Sequence, residues 1–164
     1  MEYIVANDGT RIAYYVRGEG TPIFIFNGFT CSEPNLKLLV ARLSKNYKVI
    51  FWDYKGHGQS DTPKNYKEVT VAGSVDDARR VLEKLNITKA IFMGYSTGVQ
   101  IMLEYNNRYP EVATALISIA GFSDRVMDSF LNLDTTVFGQ LGETLKKLSP
   151  VVPHAFANAW RWIH

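Results

Sequence analysis

Ala90-Ile91-Phe92-Met93-Gly94-Tyr95-Ser96-Thr97-Gly98-Val99 is the stretch on which the fold turns. Ala90–Met93 is a short continuous apolar run, the pattern of a strand buried on both faces. Gly94–Gly98 fits G-x-S-x-G. From about Val99 to Arg108 helical spacing takes over, and it stops at Tyr109-Pro110 because proline restricts the residue before it. A strand that enters a helix this abruptly needs a sharp, strained turn. Glycines at 94 and 98 let strand and helix approach without Cβ clashes, and they leave the Ser96 hydroxyl exposed at the tip. Five residues rich in Gly and Ser carry little weight alone. The buried strand before them and the amphipathic helix after them supply the context that the turn requires.

The same alternation extends in both directions. Ile23–Phe26, Val49–Trp52 and Leu116–Ala120 are further apolar runs that read as buried strands. Leu36, Leu39, Val40 and Leu43 follow helical spacing, with Ser32 or Asn35 as caps. Val75, Ala78, Leu82 and Leu85 mark another helix, ending at Asn86. Tyr3–Ala6, the turn residues Asn7-Asp8-Gly9, and the alternating Ile12, Tyr14 and Val16 read as a hairpin. Apolar strands alternating with helices predict an α/β fold with a mainly parallel sheet covered on both faces. Beyond Gly121 the texture changes. Apolar residues recur every three or four positions with no strand between them, so residues 1–122 read as the sheet-building part and 123–164 as a helical segment.

Composition is that of a globular chain: 164 residues, 46% apolar and 21% charged, which excludes disordered, collagenous and disulfide-scaffold classes. Eighteen Lys and Arg against sixteen Asp and Glu give a formal charge of +2 with no basic stripe, arguing against nucleic acid. No apolar run approaches the roughly 20 residues that span a bilayer. The start, Met1-Glu2-Tyr3-Ile4, lacks the features of a signal peptide, and the single Cys31 suits a reducing compartment, so a cytoplasmic setting without membrane contact is expected.

A serine nucleophile requires hydrogen-bond donors for the oxyanion that develops on the attacked carbonyl. One is the backbone N–H of the residue after the serine, Thr97. The other comes from the loop after an earlier strand, where Asn27-Gly28-Phe29-Thr30 stands, and the N–H of Phe29 is the best candidate. Gly56-x-Gly58 lacks the third glycine of a dinucleotide fingerprint, and no phosphate-loop pattern occurs. No His/Cys cluster has ligand spacing, so neither a metal nor an organic cofactor is expected.

Taken in order, the hairpin, the Asn27–Thr30 loop, the D-x-R-G-x-G-x-S-like loop Asp53–Ser60 and the Gly94–Gly98 turn resemble the α/β-hydrolase superfamily. The resemblance is closest to its cap-bearing esterase, haloperoxidase and C–C hydrolase-like members, and it covers roughly Tyr3 to Phe122. Departures are Asn27 for the usual His, Lys55 for the usual Arg, and Tyr95 and Thr97 inside the turn. A serine at 96 argues against the aspartate-nucleophile dehalogenases and epoxide hydrolases of that superfamily. The resemblance implies a serine hydrolase acting on a carboxylic ester or related acyl compound, with Ser96 as nucleophile, Phe29 and Thr97 as oxyanion donors and a helical cap starting at 123.

It also implies an acid and then a histidine after the serine in chain order. His57 precedes the serine and reads as a loop residue, His154 as a cap residue, and His164 as the last residue; none stands where the family base stands. Asp124 is the candidate acid, with a helix N-cap as the competing reading. Tyr95, Phe130, Phe138 and Trp160 are candidates to line an apolar pocket, or else to pack the cap. The length matches the front half of such a sheet and the start of a cap. A non-catalytic ligand-binding or scaffold member, or an inactive fragment, is the alternative. With the later strands absent, the edge at Leu116–Ala120 would be open to self-association.

Overall fold

The computed structural model describes residues 1–28 and 31–121. In chain order the elements are β1 (Glu2–Val5), β2 (Arg11–Arg17), β3 (Thr21–Phe26), α1 (Glu33–Leu43), β4 (Tyr47–Trp52), a 3₁₀ turn (Tyr66–Glu68), α2 (Val71–Lys84), β5 (Ala90–Tyr95), α3 (Gly98–Arg108) and β6 (Ala113–Ile119). They build one six-stranded sheet in the order β1-β2-β4-β3-β5-β6. β1 and β2 form the expected antiparallel hairpin, and β2 joins β4 antiparallel. From β4 onward every pairing is parallel.

Alternation along each strand divides the side chains between two cores. On one face Phe24, Phe26, Ile50, Trp52 and Phe92 meet Val75, Ala78, Val81 and Leu82 of α2 and Ile101, Met102 and Tyr105 of α3. On the other, Ile23, Ile25, Val49, Phe51 and Met93 meet Leu36 and Val40 of α1. Stacking of Phe24 on Trp52 at 4.9 Å and edge contact of Phe26 with Trp52 at 5.4 Å lock β3 to β4 at the middle of the sheet.

Helix limits follow local chemistry. α1 starts at Ser32, whose N–H donates to the Asn35 side chain at 3.0 Å, so both expected cap residues act together. α2 starts at Thr70, whose hydroxyl accepts from Gly73 at 3.0 Å, and the chain leaves it through Asn86 at φ +54°. β6 is the exception to the expected burial. It begins at Ala113 rather than Leu116, and it lies at the sheet edge with Leu116 41% and Ile117 and Ile119 38% exposed. Burial on both faces needs neighbours on both sides, and among the described residues only β5 pairs with it. Also among the described residues, no helix is long and apolar enough to cross a membrane. The helical segment expected over 123–164 lies outside the described residues, and with it Asp124, Phe130, Phe138, Trp160, His154 and His164; so does Phe29.

Candidate active site

Ser96 sits at the carboxyl end of β5, between the last strand residue Tyr95 and the helix cap Thr97. Its φ is +54°, a left-handed conformation that a side chain with a Cβ adopts only when its surroundings impose it. The surroundings are visible. Ser96 N–H donates to the Ile119 carbonyl at 3.0 Å, and its carbonyl accepts from Val99 at 3.1 Å. The two glycines have no room for a side chain. A Cβ on Gly94 would lie 2.8 Å from Val99 Cα, and one on Gly98 would lie 2.1 Å from the Phe26 carbonyl oxygen and 2.5 Å from that of Asn27. Helix α3 is thus pressed against the end of β3, and the strained serine is the consequence.

That close approach brings the loop after β3 to the serine. A Cβ on Gly28 would fall 3.3 Å from Ser96 Cβ and 2.9 Å from Tyr95 Cδ1. Tyr95 is itself 41% exposed, beside the serine in the chain and against the Gly28 loop. Thr97 caps α3 without a side-chain bond, and its Oγ1 is buried with no partner among the described residues. What Thr97 offers the site is its backbone N–H, one of the helix-terminal donors that have no partner within the helix. The dipole of α3 makes this end electropositive, which favours a developing negative charge.

The β3 loop is anchored from below. Asn27 is fully buried, its Nδ2 donates to the Trp52 carbonyl at 2.9 Å, and its own carbonyl accepts from the Tyr54 hydroxyl at 2.6 Å. Asparagine in place of the usual histidine therefore ties the loop to the end of β4. Burial pushes the Tyr54 phenol well above its ordinary value, the Cys31 charge adding to it and the Asn27 bond opposing, so the phenol stays protonated and donates. Sequence reasoning missed Tyr54; its only signal is its place one residue after Asp53. Tyr54→Phe removes this donor and leaves a buried carbonyl short of a partner. It should lower the unfolding free energy by about 1–2 kcal/mol in urea titration, and a change within error would show that Tyr54 does not hold the loop.

The Asp53–Ser60 loop is scaffold. The Asp53 carboxylate is fully buried and accepts from the Tyr15 hydroxyl at 2.8 Å and Gln59 N–H at 2.9 Å, while the Ser60 hydroxyl bridges the Asp53 carbonyl at 2.6 Å and Ala13 N–H at 2.9 Å. His57 Nδ1 lies 3.1 Å from the Lys55 carbonyl, and its ring packs edge-on against Tyr54 at 6.1 Å, in keeping with a loop residue. Behind this loop Lys55 Nζ lies 3.3 Å from Asp77 and 3.8 Å from Asp8, all three side chains 5% exposed or less. This buried triad joins the β1–β2 turn, the β4 loop and α2. Sequence reasoning missed it as well, because its members are far apart in the chain.

The sequence model for the alpha/beta hydrolase fold matches residues 21–156. The chain belongs to that family. Among similar members is an uncharacterised protein of Mycobacterium tuberculosis, 27% identical over 88% of this chain and 42% of its own length. The 2-(acetamidomethylene)succinate hydrolase of Mesorhizobium japonicum is 30% identical over 66% of this chain and 39% of its own length. In structure the chain is similar to an esterase from Exiguobacterium antarcticum, with a TM-score of 0.75 and 26% identity over 91% of this chain and 57% of that one. The chain thus spans about half the length of the family members it matches, and the half it spans carries Ser96.

Proposed function

We propose that this member of the family contributes the nucleophile and oxyanion site of a serine hydrolase acting on a carboxylic ester or a related acyl compound. The observation that carries the reading is Ser96 at φ +54° between the end of a central parallel strand and the electropositive start of α3, with the Gly28 loop against it. The Ser96 oxygen bonds to the acyl carbon as its proton passes to a base, and the carbonyl electron pair moves onto oxygen. The N–H groups of Thr97 and Phe29 hold that oxyanion. Its collapse reforms the carbonyl and expels the alcohol, which takes up the proton. Water repeats the sequence on the acyl-enzyme and regenerates Ser96. The base is a histidine that none of His57, His154 and His164 supplies, and Asp124 is the carboxylate this chain offers to orient it. Similarity to proteins named as an esterase and as a hydrolase supports acyl transfer to water.

The test is covalent. The intact gene product is treated with a fluorophosphonate, digested and examined by mass spectrometry. The adduct is expected on the peptide carrying Ser96. A folded protein that gains no adduct would overturn the reading in favour of a non-catalytic member of the fold.

A further inference from the structure

We propose that Tyr95 is a positioning residue whose ring holds the Gly28 peptide in place beside Ser96. The role rests on the serine-hydrolase reading above, because the peptide leaving Gly28 carries one of the two N–H groups named there as oxyanion donors. The parallel ladder between β3 and β5 runs only as far as the pair Phe26 and Gly94. Tyr95, the next residue of β5, pairs with Ile119 of β6 on the other side. Past the ladder the chain leaving β3 is held from behind, by Asn27 Nδ2 on the Trp52 carbonyl and by the Tyr54 hydroxyl on the Asn27 carbonyl. On the side of β5 it meets the Tyr95 ring.

That contact is close. A Cβ on Gly28 would lie 2.9 Å from Tyr95 Cδ1 and 3.1 Å from Cε1, so one side of the ring runs along the glycine. Gly28 does not have a positive φ, so its backbone does not demand glycine; the space left by the ring does. The Gly28 carbonyl accepts from Cys31 N–H at 3.1 Å, which sets the plane of the peptide that follows. In a planar trans peptide the N–H points opposite to the carbonyl, so any tilt of this plane turns the donor with it. Two contacts thus act on one peptide: the Cys31 bond sets its tilt, and the ring stops Gly28 from moving toward β5. An oxyanion donor works only within hydrogen-bond reach of the developing charge, and a displacement of about 1 Å costs on the order of 10²-fold in rate. Ring carbons make the contact, not the phenol hydroxyl. Tyr95 belongs to neither core cluster, so shortening it leaves both cores intact.

Steady-state ester turnover of the intact gene product tests this. Tyr95→Ala should lower kcat by about 10- to 10²-fold with KM within about twofold, short of the about 10²- to 10³-fold lost with an oxyanion donor. Tyr95→Phe, which keeps the ring, should restore most of kcat. Gly28→Ala should fall as far as Tyr95→Ala, since its Cβ displaces the ring. The double variant should be no slower than the slower single one, because both changes remove one contact. An unchanged kcat with a raised KM would overturn the proposal and make Tyr95 a pocket wall. So would a Tyr95→Phe as slow as Tyr95→Ala, or losses that multiply in the double variant. If Gly28→Ala does not fold, the double variant should, because the ring its Cβ meets is gone; failure of both to fold counts against the proposal. The contact is also read without turnover. In urea titration Gly28→Ala should lower the midpoint more in the unaltered chain than in Tyr95→Ala, and equal shifts would show that the ring does not hold Gly28. Unequal shifts in a protein that gains no adduct at Ser96 would sink the hydrolase reading, and the positioning role with it, while leaving the ring contact standing.

Discussion

Ser96→Ala is expected to abolish the fluorophosphonate adduct and to lower ester turnover of the intact protein by roughly 10⁴- to 10⁶-fold, the loss seen when an acyl-transfer nucleophile is removed. Substrate affinity should change little, because the hydroxyl is a small part of the binding surface. The adduct is read by mass spectrometry and turnover by release of a chromogenic alcohol. Retained turnover would place the nucleophile elsewhere. The burial that pushes the Cys31 thiol up already makes that residue a poor substitute at neutral pH. The backbone at 96 adds a second readout. At φ +54° either serine or alanine bears the steric cost of the left-handed region, on the order of 1–2 kcal/mol, whereas glycine does not. Ser96→Gly should therefore be as inactive as Ser96→Ala but more stable by about 1 kcal/mol, part of the relief being offset by the extra freedom of glycine in the unfolded chain. If Ser96→Gly proves the less stable of the two, the turn is not strained in solution.

How much of this was legible in the sequence depends on how local the signal is. The Ser96 turn was legible because the approach of α3 to β3 is written into adjacent glycines: Gly98 faces the Phe26 and Asn27 carbonyls and admits nothing larger. The hairpin and the start of α1 were legible for the same reason, since turn and cap chemistry acts within a few residues. Strand order was not. Nothing in Tyr47–Trp52 says that β4 lies between β2 and β3, because that depends on which faces the helices cover. β6 is more exposed than a buried strand because among the described residues only β5 pairs with it, and an uncharged apolar run does not say what its neighbours are. The contacts that hold the site, Tyr54 to Asn27 and Lys55 to Asp8 and Asp77, were invisible. Each joins residues far apart in the chain, and no residue type or spacing announces the partner.

The Lys55 triad carries the largest stability prediction. Lys55→Met keeps most of the buried stem but removes the cation that, among the described residues, faces Asp77 and Asp8, and breaking a buried pair by removing one partner costs about 3–5 kcal/mol. That loss should appear in urea titration at pH 7. The two carboxylates respond differently. Burial raises Asp8, but hydrogen bonds from the Thr10 side chain, Thr10 N–H and Asn65 N–H, together with Lys55, outweigh it and hold Asp8 below 3.8. Among the described residues Asp77 has only Lys55 as a hydrogen-bond donor. Burial pushes it up to about 6 against the pull of Lys55, with Asp8 and Asp76 adding to the rise. In the unaltered protein, folded Asp77 keeps a proton between about pH 4 and 6 that the unfolded chain has already released. Its contribution to stability is therefore full below pH 4 and is lost as pH rises, by about 2–3 kcal/mol over that window. Asp8 acts in the opposite sense: its contribution is present above pH 4 and lost as pH falls through its depressed pKa. Asp77→Asn should flatten the pH 4–6 slope, and a slope that persists in that variant would assign it to another group. In Lys55→Met the Asp77 proton is held still more tightly, so the deficit should shrink as pH is lowered toward 5. Adding Asp77→Asn to Lys55→Met should then recover most of the loss at pH 7, since the remaining carboxylate keeps its donors from Thr10 and Asn65. If the double variant is no more stable than Lys55→Met alone, the cost lies in lost packing of the lysine stem and not in an uncompensated charge.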